Sequence, residues 1–155
     1  MVSFMFMKSF QAKNGPEVIG PYSPGIKLGD FVYISGQLPI NSEGKIDDSI
    51  ELQTHACLNN MKDVLAAQGL ELRHIVKTTV FMTDLNDFQK FNEIYSSYFN
   101  QPYPARSCVQ VAGLPKGAKV EIEALVIDTL VYEERMKNQS CSGCGNKQNN
   151  CEGCQ

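Results

Sequence analysis

The chain has 155 residues, of which 43% are hydrophobic, so it is long and apolar enough to bury the core of one domain. Its 14 basic and 17 acidic residues give a formal net charge of -3. No run of Lys and Arg offers phosphate groups a basic surface, which argues against a nucleic-acid partner. No segment approaches the roughly 18 consecutive apolar residues that cross a bilayer, which argues against a membrane span.

The N-terminal segment from Met1 to Met7 is apolar but short. It has neither a basic leader nor a small-residue cleavage site, so we do not interpret it as a signal peptide. We therefore expect a cytosolic (cytoplasmic) protein.

Three short extended segments come first in the chain. Lys8 to Ala12 and Gly25 to Lys27 are predicted strands, and so is Phe31 to Ser35, which is rich in β-branched and aromatic residues. Gly20-Pro21 and Ser42-Glu43-Gly44 mark loops between and after them.

An amphipathic helix is predicted from Ser49 to Gln68, because apolar residues recur there at steps of three and four. Asp48 and Glu51 have the spacing of a capping box at its start. Gly69 is a typical residue for the end of such a helix.

A strand from Val76 to Met82 and a second helix from about Asp87 to Phe99 follow. Asn86 and Gln89 are suitable residues to cap the start of this helix. Its apolar face consists of Phe88, Phe91, Tyr95 and Tyr98.

Two further strands, Ala105 to Val111 and Lys119 to Val131, are separated by the turn-like segment 113–117 and are predicted to pair as a hairpin. After Tyr132 the composition becomes polar. We therefore divide the chain into a domain of residues 1–132 and a polar, Cys-rich tail of residues 133–155.

These elements predict an α+β fold with a mixed sheet of about six strands. Two helices are too few to cover both faces of such a sheet, so they should pack on one face. The other face then meets water or another subunit. The last strand is apolar on both sides, which predicts that both sides are buried and favours an oligomer.

Arg106 and Cys108 are two residues apart in a strand, so their side chains point to the same face. An arginine flanked by Ala105 and Val109 is suited to bind a carboxylate through its fork of N–H donors. A solvent-facing arginine on an edge strand has the same local sequence, and this segment alone does not separate the two interpretations.

Glu121 and Glu123 also share one face of a strand whose other positions are apolar. In a hairpin with the correct register, both glutamates would converge with Arg106 and Cys108 on one patch, unless a bulge shifts the register. An ordinary polar outer face is the alternative interpretation.

Taken together, the motifs between Met7 and Leu130 resemble, in order and spacing, those of the RidA (YjgF-like) family of enamine/imine deaminases. The motifs that carry the resemblance are Ile19 to Gly25, Ser35 to Pro39, Lys77 to Phe81, Asp84-Leu85, Phe91-Asn92, Pro104 to Cys108, Leu114 to Lys116 and Glu121 to Ala124.

The resemblance implies a chorismate-mutase-like homotrimer with active sites in the clefts between subunits. It implies that Arg106 holds the substrate carboxylate and that Glu121 positions and deprotonates the attacking water. Tyr22 and Asn92 would line the pocket, with Gly36 and Cys108 contributing partly through backbone groups. Glu123 does not match the water-activating position.

The implied reaction is the hydrolysis of 2-iminopropanoate and 2-iminobutanoate, small imino acids, to 2-oxo acids and ammonia. The imine carbon is already electrophilic, so no metal or cofactor is required for catalysis. A glutamate beside Cys108 and apolar walls is expected to have a raised pKa, which suits proton transfer. The alternative function attached to the same family is an RNA-cleaving translation inhibitor, an endoribonuclease.

Cys108 is interpreted as a wall of the pocket and not as a nucleophile. A thiolate nucleophile requires a nearby base. His55 lies on the first predicted helix and His74 precedes an apolar strand, so neither is well placed to activate Cys108.

The tail departs from the family pattern, because it contains two Cys-X-X-Cys pairs. Four such thiolates can bind zinc tetrahedrally, although the six-residue gap between the pairs is shorter than the usual 15–20 residues. Redox pairs and a tail unrelated to catalysis are the alternatives. The candidate ligands are Cys141, Cys144, Cys151 and Cys154.

Overall fold

The computed structural model describes residues 6–13, 15, 18 and 20–142, with side chains described up to residue 138. Within this part of the chain there are six strands and three α-helices. The strands are β1 (Met7–Phe10), β2 (Gly25–Leu28), β3 (Phe31–Gln37), β4 (Ile75–Met82), β5 (Ala105–Gln110) and β6 (Val120–Ile127). The helices are α1 (Ile50–Ala66), α2 (Phe88–Ser96) and α3 (Leu130–Ser142).

The six strands form one mixed sheet in the order β1-β2-β3-β6-β4-β5. Strand β5 runs parallel to β4, and the other neighbouring pairs are antiparallel. The predicted mixed, six-stranded α+β architecture is therefore confirmed.

The predicted hairpin between the last two strands is wrong, because β4 lies between β5 and β6. Helix α2 follows β4 after a short turn and returns the chain to the end of the sheet where β4 begins. The chain then enters β5 parallel to β4, as in other crossover connections. Strand β6 runs back on the opposite side of β4.

Helices α1 and α2 cover one face of the sheet, as predicted. Their buried side chains pack against those of alternate strand positions in a single apolar core. The completely buried members include Leu58, Met61, Leu65 and Phe91 from the helices, and Val32, Val80, Met82 and Ile122 from the strands.

The other face of the sheet is only partly covered. Phe31 and Tyr33 of β3 are each 50% exposed, and Leu125 and Ile127 of β6 are half-buried. In a single chain, therefore, only the inner side of β6 is fully buried, and burial of its outer side stays a prediction that concerns an assembly.

Helix α1 begins at Ser49, whose hydroxyl accepts a hydrogen bond from the backbone N–H of Leu52. The predicted capping box with Asp48 is wrong, because the shorter Ser49 side chain occupies the cap one residue later. Gly69 ends the helix as predicted, since it adopts a positive φ of 69° and Leu70 N–H donates to the carbonyl of Leu65.

Helix α2 begins later than predicted, after a short 3-10 turn at Leu85–Asp87. The predicted cap of Asn86 with Gln89 is wrong, because Asp84 accepts a hydrogen bond from the backbone N–H of Asn86 at the start of that turn.

The last predicted strand is too long, because the chain leaves β6 at Ile127 and enters α3 at Leu130. Helix α3 runs across residue 132, where the composition changes. Of the predicted zinc ligands, Cys141 lies in α3 with its side chain outside the described part, and Cys144, Cys151 and Cys154 lie outside the described residues altogether. None of the helices within the described ranges has the length and apolar character needed to cross a membrane.

Candidate active site

Arg106 and Cys108 lie on the side of β5 that faces the helices. Arg106 stands opposite Thr78 and Cys108 opposite Val80 in the parallel pair of β5 with β4, and Thr78 and Val80 are completely buried. Because directly paired residues point to the same face of a sheet, both site candidates point towards α2. The prediction that they share a face is confirmed.

The guanidinium of Arg106 lies over three aromatic rings of α2. Its Cζ atom is 4.7 Å from the ring centroid of Tyr95, 5.5 Å from that of Phe88 and 5.6 Å from that of Phe91. These distances are within the range of cation–π attraction. Among the described residues, no carboxylate pairs with Arg106 and no acceptor takes a hydrogen bond from it, so its N–H donors remain available.

A cleft of about 560 Å³ opens beside this guanidinium. Asn92 and Tyr95 of α2 line it, together with Tyr103 and Pro104 from the segment before β5. The structure thus brings two predicted site residues, Arg106 and Asn92, to one cleft. Cys108 shares a second opening with Arg106, Leu85 and Phe88.

The thiol of Cys108 is not activated by its surroundings. Burial raises its pKa, and the positive charge of Arg106 opposes this only in part. His55 is paired with the hydroxyl of Tyr98 at 2.7 Å, and His74 is buried next to Glu133. A thiol with a raised pKa and no histidine partner supports the interpretation of Cys108 as a pocket wall.

Glu121 lies on the opposite face of the sheet from Arg106. It stands opposite Phe81 in the pair of β6 with β4, whereas Arg106 stands opposite Thr78 of the same strand. Thr78 and Phe81 are three residues apart in a regular stretch, so they point to opposite faces. The prediction that Arg106, Cys108, Glu121 and Glu123 converge on one patch of one chain is therefore wrong, because it depended on the hairpin that does not form.

Gly36 makes room for the side chain of Glu121. A Cβ atom added at Gly36 would lie 1.7 Å from Oε1 of Glu121, which no side chain could tolerate without displacing the carboxylate. A bulge between Ile34 and Gln37 brings Gly36 to this position. Gly36 and Tyr22 also line a small cavity beside the end of β3, so three predicted site residues are grouped at this end of the sheet.

The pKa of Glu121 is raised, first by burial and second by the negative charge of Glu123. The predicted direction is confirmed, although the neighbours are Gly36 and Glu123 and not Cys108. Burial and the charge of Glu121 raise the pKa of the Cys57 thiol behind it. A carboxylate whose pKa lies above its ordinary value is a better proton acceptor and donor near neutral pH.

The six predicted site residues thus form two groups in a single chain. Arg106, Asn92 and Cys108 belong to the helix side of β5, and Glu121 and Gly36, with Tyr22 nearby, belong to the end of β3. The aromatic support of Arg106 was not predicted. Phe88, Phe91 and Tyr95 have the spacing of a buried helix face, and only the position of β5 shows that they also contact a cation.

Among the described residues, no group of three or more His, Cys, Asp and Glu side chains is arranged to hold a metal ion. The predicted zinc site of the tail involves side chains outside that part of the chain and stays a prediction.

The amino-acid sequence is similar to those of known proteins. The family model described as "Endoribonuclease L-PSP" matches residues 12–128. The 2-iminobutanoate/2-iminopropanoate deaminase of Escherichia coli K12 is 44% identical over 124 residues, which cover 77% of this chain and 97% of that protein. The RutC family protein y4sK of Sinorhizobium fredii is 45% identical over 123 residues, with the same coverage of 77% and 97%.

A solved structure extends the comparison to the fold. The crystal structure of E. coli TdcF with bound serine superimposes with a TM-score of 0.73, at 44% sequence identity, covering 77% of this chain and 98% of that one. The family match ends at residue 128, so helix α3 follows the matched region.

Proposed function

We propose that this chain, which belongs to the endoribonuclease L-PSP family and is similar to RidA/YjgF proteins, is an imine deaminase. Its substrates would be 2-iminobutanoate and 2-iminopropanoate, which it would hydrolyse to 2-oxo acids and ammonia. The name of the E. coli relative at 44% identity supports this choice.

The observation that carries the proposal is the state of Arg106. A guanidinium held on aromatic rings, with no carboxylate partner among the described residues, presents its fork of donors to the adjacent cleft. That fork matches the geometry of a carboxylate and binds it through two hydrogen bonds. A small 2-imino acid carries a carboxylate next to the reactive carbon, so binding one end fixes the other.

In the proposed reaction, Glu121 accepts a proton from water while the water oxygen bonds to the imine carbon. The imine nitrogen takes that proton from Glu121 as its double bond to carbon becomes a single bond, which returns Glu121 to its ionised form. The resulting carbinolamine then collapses. Its hydroxyl proton moves through Glu121 to nitrogen, the C–N bond breaks and ammonia leaves as the carbonyl of the 2-oxo acid forms. Each step conserves atoms and charge, and none requires a metal or an oxidant.

The opposite orientation of Arg106 and Glu121 means that a site using both must combine two copies of the chain. We propose that one copy contributes Arg106, Asn92 and Cys108, and that a neighbouring copy contributes Glu121 with Gly36 and Tyr22. The closed assembly would be the homotrimer that the family resemblance implies. Support comes from the uncovered sheet face, whose half-exposed apolar residues are Phe31, Tyr33, Leu125 and Ile127.

The first test is ammonia release from imines that a serine or threonine dehydratase forms in the same reaction. Wild type should accelerate the release, and Arg106→Ala or Glu121→Ala should each reduce the acceleration by roughly a hundredfold or more. An Arg106→Ala variant as active as the wild type would contradict the proposal.

Mixed assemblies test whether the two groups come from different chains. Coexpression of Arg106→Ala with Glu121→Ala should restore activity, because about one quarter of the sites in randomly mixed trimers receive both intact residues. The matched control is Arg106→Ala coexpressed with the double variant, which has no intact Arg106 and should stay inactive. If the first mixture also stays inactive although mixed trimers form, the shared site is wrong.

The family description also names an endoribonuclease, and RNA cleavage is therefore the alternative function. Metal-free RNA cleavage generally uses paired acid–base groups with cations for the phosphate. The two histidines do not offer such a pair near Arg106, since His55 bonds to Tyr98 and His74 is buried beside Glu133. RNA cleavage that persists in Arg106→Ala would favour the alternative function.

Two further expectations remain part of the proposal. The protein would act in the cytosol, where the tail thiols stay reduced. Zinc would bind the tail through Cys141, Cys144, Cys151 and Cys154, independently of the deaminase chemistry. Elemental analysis of the purified protein and of a variant with all four cysteines changed to serine tests the zinc site.

A further inference from the structure

An aromatic cradle, formed by Phe88, Phe91 and Tyr95 of α2, lies beneath the guanidinium of Arg106. Tyr95 makes the closest approach, at 4.7 Å from ring centroid to Cζ. The cradle belongs to the same helix as Asn92, which lines the cleft. Its rings therefore determine where the guanidinium of Arg106 lies relative to a ligand in that cleft.

The chemistry of the cradle differs from that of an ordinary arginine partner. The face of an aromatic ring attracts a cation through its quadrupole and accepts none of the in-plane N–H donors. A carboxylate in the same place would bind those donors and neutralise the charge. The cradle holds the guanidinium and leaves its fork open for an anionic ligand.

Tyr95 is itself held rigidly. It is 5% exposed, and its hydroxyl is 2.8 Å from Oγ1 of the buried Thr78. Thr78 stands directly opposite Arg106 in the sheet. The rings of Phe91 and Phe99 also pack against Tyr95, with centroids 5.4 Å and 4.6 Å away. The Tyr95 ring thus has few alternative positions, and its contact with Arg106 restricts the positions of the guanidinium as well.

We propose that Tyr95 and Phe88 are positioning residues that hold Arg106 ready to bind the substrate carboxylate. This inference rests on the proposed function, because it takes Arg106 as the group that binds the carboxylate. Loss of a ring leaves the charge of Arg106 unchanged but lets the guanidinium occupy other rotamers. The effect should therefore fall on affinity for a carboxylate, and on KM more than on kcat.

The experiment combines two measurements on the full chain. Calorimetric titration with 2-oxobutanoate, the expected product, reports carboxylate binding, and the coupled imine assay gives kcat and KM. The variants are Phe88→Leu, Tyr95→Leu and Tyr95→Phe. Tyr98→Leu is the matched control, because the Tyr98 ring follows the end of α2, does not line the cleft and contacts a different cation, Lys62, at 4.4 Å from its centroid.

Phe88→Leu and Tyr95→Leu should weaken 2-oxobutanoate binding and raise KM by roughly three- to thirtyfold, the range of one cation–π contact. Tyr95→Phe keeps the ring and should change both by less than the leucine variants. Tyr98→Leu should bind like the wild type. If Tyr95→Leu does not fold, as near-ultraviolet circular dichroism will show, the half-buried Phe88 position decides the question.

Unchanged affinity and KM in folded Phe88→Leu would overturn the inference while leaving the deaminase function in place. Absence of 2-oxobutanoate binding to the wild type would overturn it as well. Failure of the wild type to hydrolyse imines would instead reject the proposed function, and the titration series would still decide whether the cradle positions Arg106 for carboxylates.

Discussion

Two arginine–carboxylate arrangements in this chain differ in almost every respect. Arg73 donates from Nη1 and Nη2 to the two carboxylate oxygens of Glu133, at 2.8 Å and 3.1 Å. Arg106 and Glu121 lie on opposite faces of the sheet, and aromatic rings replace the carboxylate beneath Arg106. The first arrangement joins α3 to the turn before β4, and the second leaves both charged groups available.

The pKa values of Glu133 and Glu121 differ in the same way, since one carboxylate is paired with an arginine and the other is not. The guanidinium of Arg73 and the hydroxyl of Thr129 lower the pKa of Glu133 to about 2. Burial and the charge of Glu123 raise the pKa of Glu121. A paired carboxylate stays ionised and stabilises the fold, whereas an unpaired, partly buried one can take up and release protons. Separation of opposite charges is thus a signature of the candidate active site.

The largest effect should come from replacing Arg106 with lysine. Arg106→Lys keeps the charge but loses the fork and the stacking geometry, so kcat/KM in the coupled imine assay should fall by roughly ten- to hundredfold. Arg73→Lys is the control and should leave kcat/KM unchanged while lowering Tm. Equal losses of activity in both variants would mean that the distinction between the two arginines is wrong.

Gly36→Ala should come next, because the added Cβ would occupy the position of Oε1 of Glu121. The carboxylate must rotate away, so we expect kcat to fall by roughly tenfold or more through loss of general base catalysis. The control is Gly113→Ala, where nothing lies within 4 Å of the added Cβ and the backbone is outside the left-handed region. Wild-type kcat in Gly36→Ala would show that the position of Glu121 does not matter for the reaction.

The sequence predicts features that depend on neighbouring residues better than features that depend on contacts between residues distant in the chain. Gly69 ends α1 as its local chemistry requires, and all six strands were placed near their observed positions. Strand partners were not predictable in the same way, since the position of β5 depends on how α2 crosses over the sheet. That crossover separates Arg106 from Glu121, and no local pattern in either strand indicates it.

The candidate site shows the same limit. Arg106 and Glu121 were identified by motif, yet the contact of Gly36 with Glu121 arises from a bulge in β3 that adds one residue. Phe88 and Tyr95 have the spacing of an apolar helix face, and a cation above them depends on a strand distant in sequence. Contacts between elements, and not the elements themselves, bring these residues together in the candidate site.

A moderate effect on stability is expected from Glu133→Gln, which removes the paired carboxylate. The folded-state pKa of Glu133 is about 2, below its ordinary value of 4.5, so its contribution is present above pH 4.5 and is lost as the pH falls towards 2. Glu133→Gln should therefore lower Tm at pH 7 and match the wild type near pH 2. Thermal unfolding followed by circular dichroism measures this, and a Tm difference independent of pH would contradict the assigned pairing.

The smallest effect should come from Glu123→Gln, which leaves Glu121 in place and removes the second cause of its raised pKa. As the proposed base, Glu121 must be ionised, so kcat/KM should rise with pH through its pKa. Without the negative charge of Glu123 that pKa falls, and the acidic limb of the pH profile should move to lower pH. Glu43→Gln, an exposed change on a distant loop, is the control. A shift of the limb to higher pH in Glu123→Gln would mean that Glu121 is not the group whose ionisation limits the reaction.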